Sequence, residues 1–154
     1  MRGTHPDYKL IIAGKPWKDD FSLYEQIIEE EGIGKDVIRM VRYITEDERD
    51  ALYSCASLLV LPYRKIYQSG VLLMSMSFGL PVVVADLPPL QEVIQDGENG
   101  LLFAAGNPES LRQALIRLTN DEALQERLGK QALQTIENEY GWDDIAQQYV
   151  PFFE

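Results

Sequence analysis

Five short, uninterrupted apolar runs constrain this chain more than any other feature. They are Lys9–Ala13, Val37–Val41, Leu58–Leu61, Pro81–Ala85 and Leu101–Phe103. A strand with one wet face alternates polar and apolar residues. A run without alternation suggests a strand covered on both faces, as in a parallel sheet. Between the runs lie segments with apolar residues three and four apart: Phe21–Glu31, Glu46–Ala56, Val71–Phe78 and Pro108–Leu118. This alternation of strands and helices implies crossover helices on a mostly parallel sheet. The expected class is α/β.

Punctuation agrees with those boundaries. Thr45 precedes Glu46, Asp47 and Glu48, a cap followed by acids that suit a helix N-terminus. Asn107-Pro108 sets a capping residue before a first-turn proline. Gly32, Gly34 and Gly79 stand where helices end, and Asp96-Gly97 and Asn99-Gly100 are turn dipeptides leading into the last strand. Residues 121–154 are expected to form a C-terminal helical segment: one long helix over Asp121–Glu139, then an aromatic helical stretch over Trp142–Phe153 after Gly141. Residues 1–8 are expected to be a mobile lead-in. With no linker, repeat or low-complexity tract, residues 1–154 read as one domain, long enough to bury a core without a disulfide or a metal.

Composition excludes several functions. Lys plus Arg is 14 against 25 Asp plus Glu, a net charge of −11, and no basic stripe fits a nucleic acid. No apolar run reaches the roughly 18 residues of a membrane span. Cys55 is the single cysteine, which excludes an intrachain disulfide and points to a cytoplasmic address. Cys55 is expected to be a small buried hydrophobe. The single histidine, His5, cannot build a metal site or a hydrolytic triad, and neither HExxH nor CxxC occurs. Gly14 follows the first strand without a G-x-G-x-x-G pattern. Glu29-Glu30-Glu31 reads as a solvated helix face, and Met74 and Met76 as core.

Ligands of an open parallel sheet bind beyond the carboxyl ends of its strands. The segment after Leu58–Leu61 is the richest such place: Pro62, Tyr63, Arg64, Lys65, Ile66, Tyr67, Gln68, Ser69, Gly70 and then a helix. Ser69 and Gly70 stand at the helix start, where unpaired backbone N–H groups and the helix dipole favour an anion. Arg64 and Lys65 add positive charge. A phosphate or diphosphate is the natural guest; the plainer alternative is a capping serine beside two solvated cations.

Taken in order, K-L-I-I-A-G (9–14), V-I-R-M-V-R-Y-I-T (37–45), A-S-L-L-V-L-P-Y (56–63), Q-S-G-V-L-L-M-S-M-S-F-G-L-P-V-V-V-A-D (68–86) and D-G-E-N-G-L-L-F (96–103) resemble the C-terminal half of family-four glycosyltransferases. The resemblance runs from about Tyr8 to Phe153. It implies a Rossmann-like parallel sheet with helices on both faces, the C-terminal domain of the GT-B fold. It also implies a retaining enzyme that transfers a hexose from a nucleotide-sugar, with the donor as substrate and no further cofactor. By the same resemblance Ser69, Gly70 and Val71 receive the donor diphosphate. Tyr43 and Ile44 lie against the base.

Three departures follow from the same alignment of motifs. The family's paired glutamates, which contact the transferred sugar and hold the ribose, fall at Ile66 and Met74, and neither side chain accepts such hydrogen bonds. The family's first strand and helix, with an Arg and a Lys that grip the phosphates, have no counterpart here. Their absence is expected to leave a gap between the strands at Lys9 and Leu58, closed by the two edges themselves, a second copy or another chain. The acceptor-binding half is also absent. The expectation is therefore a donor-binding half that is inactive alone, with no catalytic residue assigned. The alternative is a non-catalytic interaction module that keeps the fold.

Overall fold

The computed structural model describes residues 8–16, 20–141 and 150. The lead-in at 1–7 with His5 and, apart from Val150, the helical stretch expected after Gly141 lie outside the described residues. The described chain contains five strands: β1 (Leu10–Ala13), β2 (Val37–Met40), β3 (Leu59–Leu61), β4 (Val82–Ala85) and β5 (Leu101–Phe103). It contains six α-helices: α1 (Ser22–Glu30), α2 (Glu46–Cys55), α3 (Gly70–Ser77), α4 (Pro88–Gln91), α5 (Pro108–Thr119) and α6 (Glu122–Glu139). Each of the five apolar runs holds a strand, and the helices expected up to Glu139 are present. The short α4 was not foreseen, because its Pro-Pro start reads locally as a turn.

The chain divides into two compact units, Met1–Leu52 and Tyr53–Glu154. In the first, β1 and β2 pair in parallel, Leu10 opposite Val37 and Ala13 opposite Met40. Lys9 Nζ bonds Asp36 Oδ1 at 2.7 Å, fixing the start of β1 to the 3-10 turn before β2. Arg39 on β2 reaches Glu25 on α1 at 2.9 Å, and Ile28 is the buried residue of that helix. Coverage on both faces, expected of every run, is not met here: Leu10 is 52% and Ile38 46% exposed. Two strands against one helix bury one face only.

In the second unit β3, β4 and β5 form a parallel sheet in that order. β4 is fully buried, and its residues alternate between two cores as a strand's period of two requires. Val82 and Val84 pack with Leu72 and Met76 of α3, Leu90, Ile94 and Ala132. Val83 and Ala85 pack with Leu101, Phe103, Leu118 and Leu128. Burying each large aliphatic side chain contributes about 1.5–3 kcal/mol. Gly79 ends α3 at φ +68, the left-handed geometry that glycine adopts without strain. Where α3 meets α6, a Cβ on Gly129 would stand 2.3 Å from the Gly79 carbonyl oxygen, so only glycine fits.

Cys55 is exposed, contrary to expectation. It is the last residue of α2, whose inward side is taken by the half-buried Leu52 and Tyr53.

Candidate functional site

β3 delivers the chain into a loop, Pro62–Gln68, that ends at α3. Ser69 is the N-cap, with extended backbone (φ −133, ψ 95). Its Oγ accepts the N–H of Leu72 at 3.2 Å, and its carbonyl accepts those of Leu72 at 3.1 Å and Leu73 at 3.4 Å. Among the described residues the N–H groups of Gly70 and Val71 have no protein acceptor. Gly70 is exposed, and a Cβ built there meets nothing within 4 Å. The helix start is open.

The other helix starts of this unit are different. α4 begins on Pro88-Pro89, which have no N–H to give. At α5, Pro108 again lacks one, and Asn107 Oδ1 takes the N–H groups of Glu109 and Ser110 at 3.1 Å each. α6 is capped by Asp121, whose carboxylate accepts from Leu124 at 2.8 Å, with Glu122 following. Among the described helix starts of this unit, only α3 combines a neutral cap, two N–H groups unclaimed by described residues and a first turn without acid. The surrounding sequence keeps that character: no Asp or Glu occurs from Ala51 to Ala85 in a chain of net charge −11, and its two cations are Arg64 and Lys65. This acid-free stretch was available in the sequence and is the signal that reading by motif passed over.

Arg64 and Lys65 are both exposed on the loop before α3. Among the described residues neither forms an ion pair. Ile66 turns inward and packs against the core around Leu72 and Met76. Met74 is 36% exposed, contrary to its expected place in the core, whereas Met76 is fully buried. Asp86, at the carboxyl end of β4, is held by the side-chain amide of Gln91. Among the described residues no three His, Cys, Asp or Glu side chains gather as a metal site.

Tyr43 and Ile44 belong to the first unit, on the loop between β2 and α2. Tyr43 is 73% exposed. Arg42 braces this loop: it donates to the Tyr43 carbonyl at 3.0 Å and grips Glu48 with both terminal nitrogens, at 2.9 and 2.6 Å. Glu48 also accepts the Thr45 N–H at 3.0 Å, while its own N–H donates to Thr45 Oγ1 at 3.3 Å, a capping box at the start of α2. The Arg42 hydrogen bonds, with help from the Thr45 N–H, hold the Glu48 carboxyl down at about 2.

Two surface cavities lie elsewhere in the second unit. One, of about 210 Å³, is lined by polar side chains including Gln95, Asn99, Gln131 and Asn138. The other, of about 370 Å³, is an open depression beside Ser57, Pro81 and Glu122. Neither includes the first turn of α3.

The family model "Glycosyl transferases group 1" matches residues 1–135. The chain belongs to this glycosyltransferase family. Spore coat protein SA of Bacillus subtilis (strain 168) is 24% identical over 160 residues, 97% of this chain and 41% of that protein. A D-inositol 3-phosphate glycosyltransferase of Streptomyces bingchenggensis is 35% identical over 111 residues, 72% of this chain and 24% of that protein. Among solved structures, Anabaena Alr3699/HepE in complex with UDP superposes with a TM-score of 0.87 at 19% identity, over 96% of this chain and 41% of that one. That likeness shows the fold, the Rossmann-like α/β architecture of GT-B glycosyltransferases. This family member thus spans at most about two fifths of the length of these relatives. Among the described residues no helix is long and apolar enough to cross a membrane.

Proposed function

We propose that this chain is the donor-binding half of a retaining, family-four glycosyltransferase, receiving the diphosphate of a nucleotide-sugar at the first turn of α3. The observation that carries this reading is the pair of unclaimed N–H groups at Gly70 and Val71 in the acid-free stretch of a strongly acidic chain. Those groups and the helix dipole attract an anion without a metal, and Arg64 or Lys65 neutralises its remaining charge. For the base, the family resemblance offers Tyr43 and Ile44 on the loop after β2. The nucleotide-sugar is a substrate, so no separate cofactor enters, and the donors of a cytoplasmic pool would supply it. Alr3699/HepE, which shares the fold, has been solved with UDP and with UDP-glucose, in keeping with a donor of that class.

Ile66 and Met74 give no acceptor for sugar or ribose hydroxyls. A polar group left unpaired on burial costs about 1–3 kcal/mol, which weakens a donor by one or two decades. Retaining transfer also needs an acceptor side and exclusion of water. Alone, therefore, the chain binds without transferring. Transfer requires an acceptor-binding half in addition to these residues.

A second reading, a non-catalytic module that keeps the fold, is favoured by one placement: Ile66 is committed to the core and Met74 to an apolar surface. Titration with UDP, GDP and their hexose conjugates, followed by thermal shift and calorimetry, separates the two. The donor reading expects saturable stabilisation, about 2.7 kcal/mol at a hundredfold excess over Kd. Gly70→Val should abolish it while the fold persists, since a Cβ at this position has no protein atom within 4 Å. No heat and no shift at millimolar ligand would leave the module reading standing.

A further inference from the structure

The donor reading leaves unused a neutral polar stripe on α6. Gln131, Gln134, Thr135 and Asn138 stand at i, i+3, i+4 and i+7, on one face of the helix. That face meets the turn at residues 95–99, and between the two lies the cavity of about 210 Å³. Its floor is fixed. Asn99, only 5% exposed, donates through Nδ2 to the Val93 carbonyl at 2.9 Å and to Thr135 Oγ1 at 3.1 Å. Its Oδ1 accepts the Gln95 N–H at 2.8 Å, and Thr135 Oγ1 donates to the Gln131 carbonyl at 2.9 Å. The walls are free. Among the described residues the side-chain amides of Gln95, Gln131, Gln134 and Asn138 have no hydrogen-bond partner. Glu98 and Glu139 complete the lining, which among the described residues includes no apolar side chain.

Each such amide offers two N–H donors and a carbonyl acceptor, whereas a carboxylate only accepts. Together they match a molecule whose hydroxyls both donate and accept, and the two carboxylates oppose an anion. Pockets for drug-sized molecules are largely apolar and run to about 300–1,000 Å³, so this smaller polar one suits a single hydroxylated ring. We propose that the cavity binds one sugar unit, as a neutral glycoside, at a site separate from the donor diphosphate. The turn at residues 95–99 leads into the amino end of β5, whereas the first turn of α3 follows the carboxyl end of β3. The strands are parallel, so the two places lie at opposite ends of the sheet and the two ideas fail separately.

Titration of the isotope-labelled 154-residue chain with methyl glycosides of glucose, galactose, mannose and N-acetylglucosamine, followed by NMR, tests this. At least one glycoside should give saturable shifts of the side-chain amides of Gln95, Gln131, Gln134 and Asn138. The N–H groups of Gly70 and Val71 should not move with them. Gln131→Ala combined with Gln134→Ala should weaken the binding about tenfold, through loss of two hydrogen-bonding groups. Glu137→Gln, on the same helix outside the cavity, should leave it unchanged. Alanine favours a helix, so the double variant should keep its melting temperature, and lost binding is then not lost folding. No saturable shift with any glycoside, or shifts confined to Gly70 and Val71, overturns the proposal. Binding indifferent to the double variant overturns it as well. Equal movement of exposed amides over the whole surface marks a solvent effect and has the same consequence.

Discussion

The two compact units are built from the same local pattern, a short apolar strand followed by an amphipathic helix, and they bury it to different depths. β4 shows no exposure along its length, because it has a strand on each side and helices over both faces. β1 and β2 pair just as regularly, yet Leu10 and Ile38 stay about half exposed. The residue types are alike; the neighbours are not. Hydrophobicity sets which side chains gain from burial, while the number of layers sets how much burial each one obtains. The helix start offered to a ligand is carried by the deeper unit, and its position is as firm as the core beneath it.

The largest effect expected from this contrast is at Gly129. A side chain there must push into the Gly79 backbone, so Gly129→Val should cost ~4 kcal/mol and lower the urea midpoint accordingly. If the cost is small, α3 and α6 can separate, and the second unit is not the rigid platform its burial suggests. Next comes a matched pair of truncations. Leu128→Ala, at a position with no exposure, should cost about 2–5 kcal/mol. Leu10→Ala, in the first unit, should stay within about 0.5 kcal/mol, as exposed positions do. Equal costs would mean that the surface of β1 is covered in solution and would erase the distinction between the units. Ser69→Ala should cost about 1 kcal/mol through loss of the Leu72 cap, with little change in the cores.

Much of this was legible in the chain because it is local. Each apolar run contains a strand, Asn107 and Thr45 cap the helices they precede, and Ser69 takes the N-cap that its place before Gly70 suggests. The features that escaped depend on the third dimension. Ile66 and Met74 are both apolar and eight positions apart, and nothing in their spacing says that one enters the core and the other the surface. Cys55 follows an apolar stretch and still ends α2 on the outside. The distinctness of α3 could have been read in part: prolines after Leu87 and Asn107, and acids at Asp121 and Glu122, disqualify the other helix starts. That Gly70 and Val71 keep their N–H groups unclaimed needed the hydrogen bonds themselves.

The smallest effect sharpens the comparison at the level of single charges. Among the described residues each unit holds one carboxylate at about 2 through an arginine fork: Glu48 by Arg42 in the first, and Glu109 by Arg112 in the second. Both start from an ordinary value of 4.5. A carboxyl whose folded value is depressed adds stability that is complete above the unfolded value and fades as pH falls from about 4.5 toward 2. Both groups are exposed and screened by solvent, so each effect is small. They differ in what else they hold. Among the described residues Glu109 accepts only from side chains of its own helix, Arg112 and Gln113. Glu48 also takes the Thr45 N–H, and the arginine it grips reaches the Tyr43 carbonyl. Glu48→Gln should therefore lower the melting temperature at pH 7 more than Glu109→Gln does. Both differences from the parent chain should vanish near pH 2, and the Thr45 amide, whose N–H donates to Glu48, should exchange faster only in the Glu48 variant. Equal losses in the two variants would mean that the capping box adds nothing beyond the arginine, and that the loop bearing Tyr43 and Ile44 is held by other means.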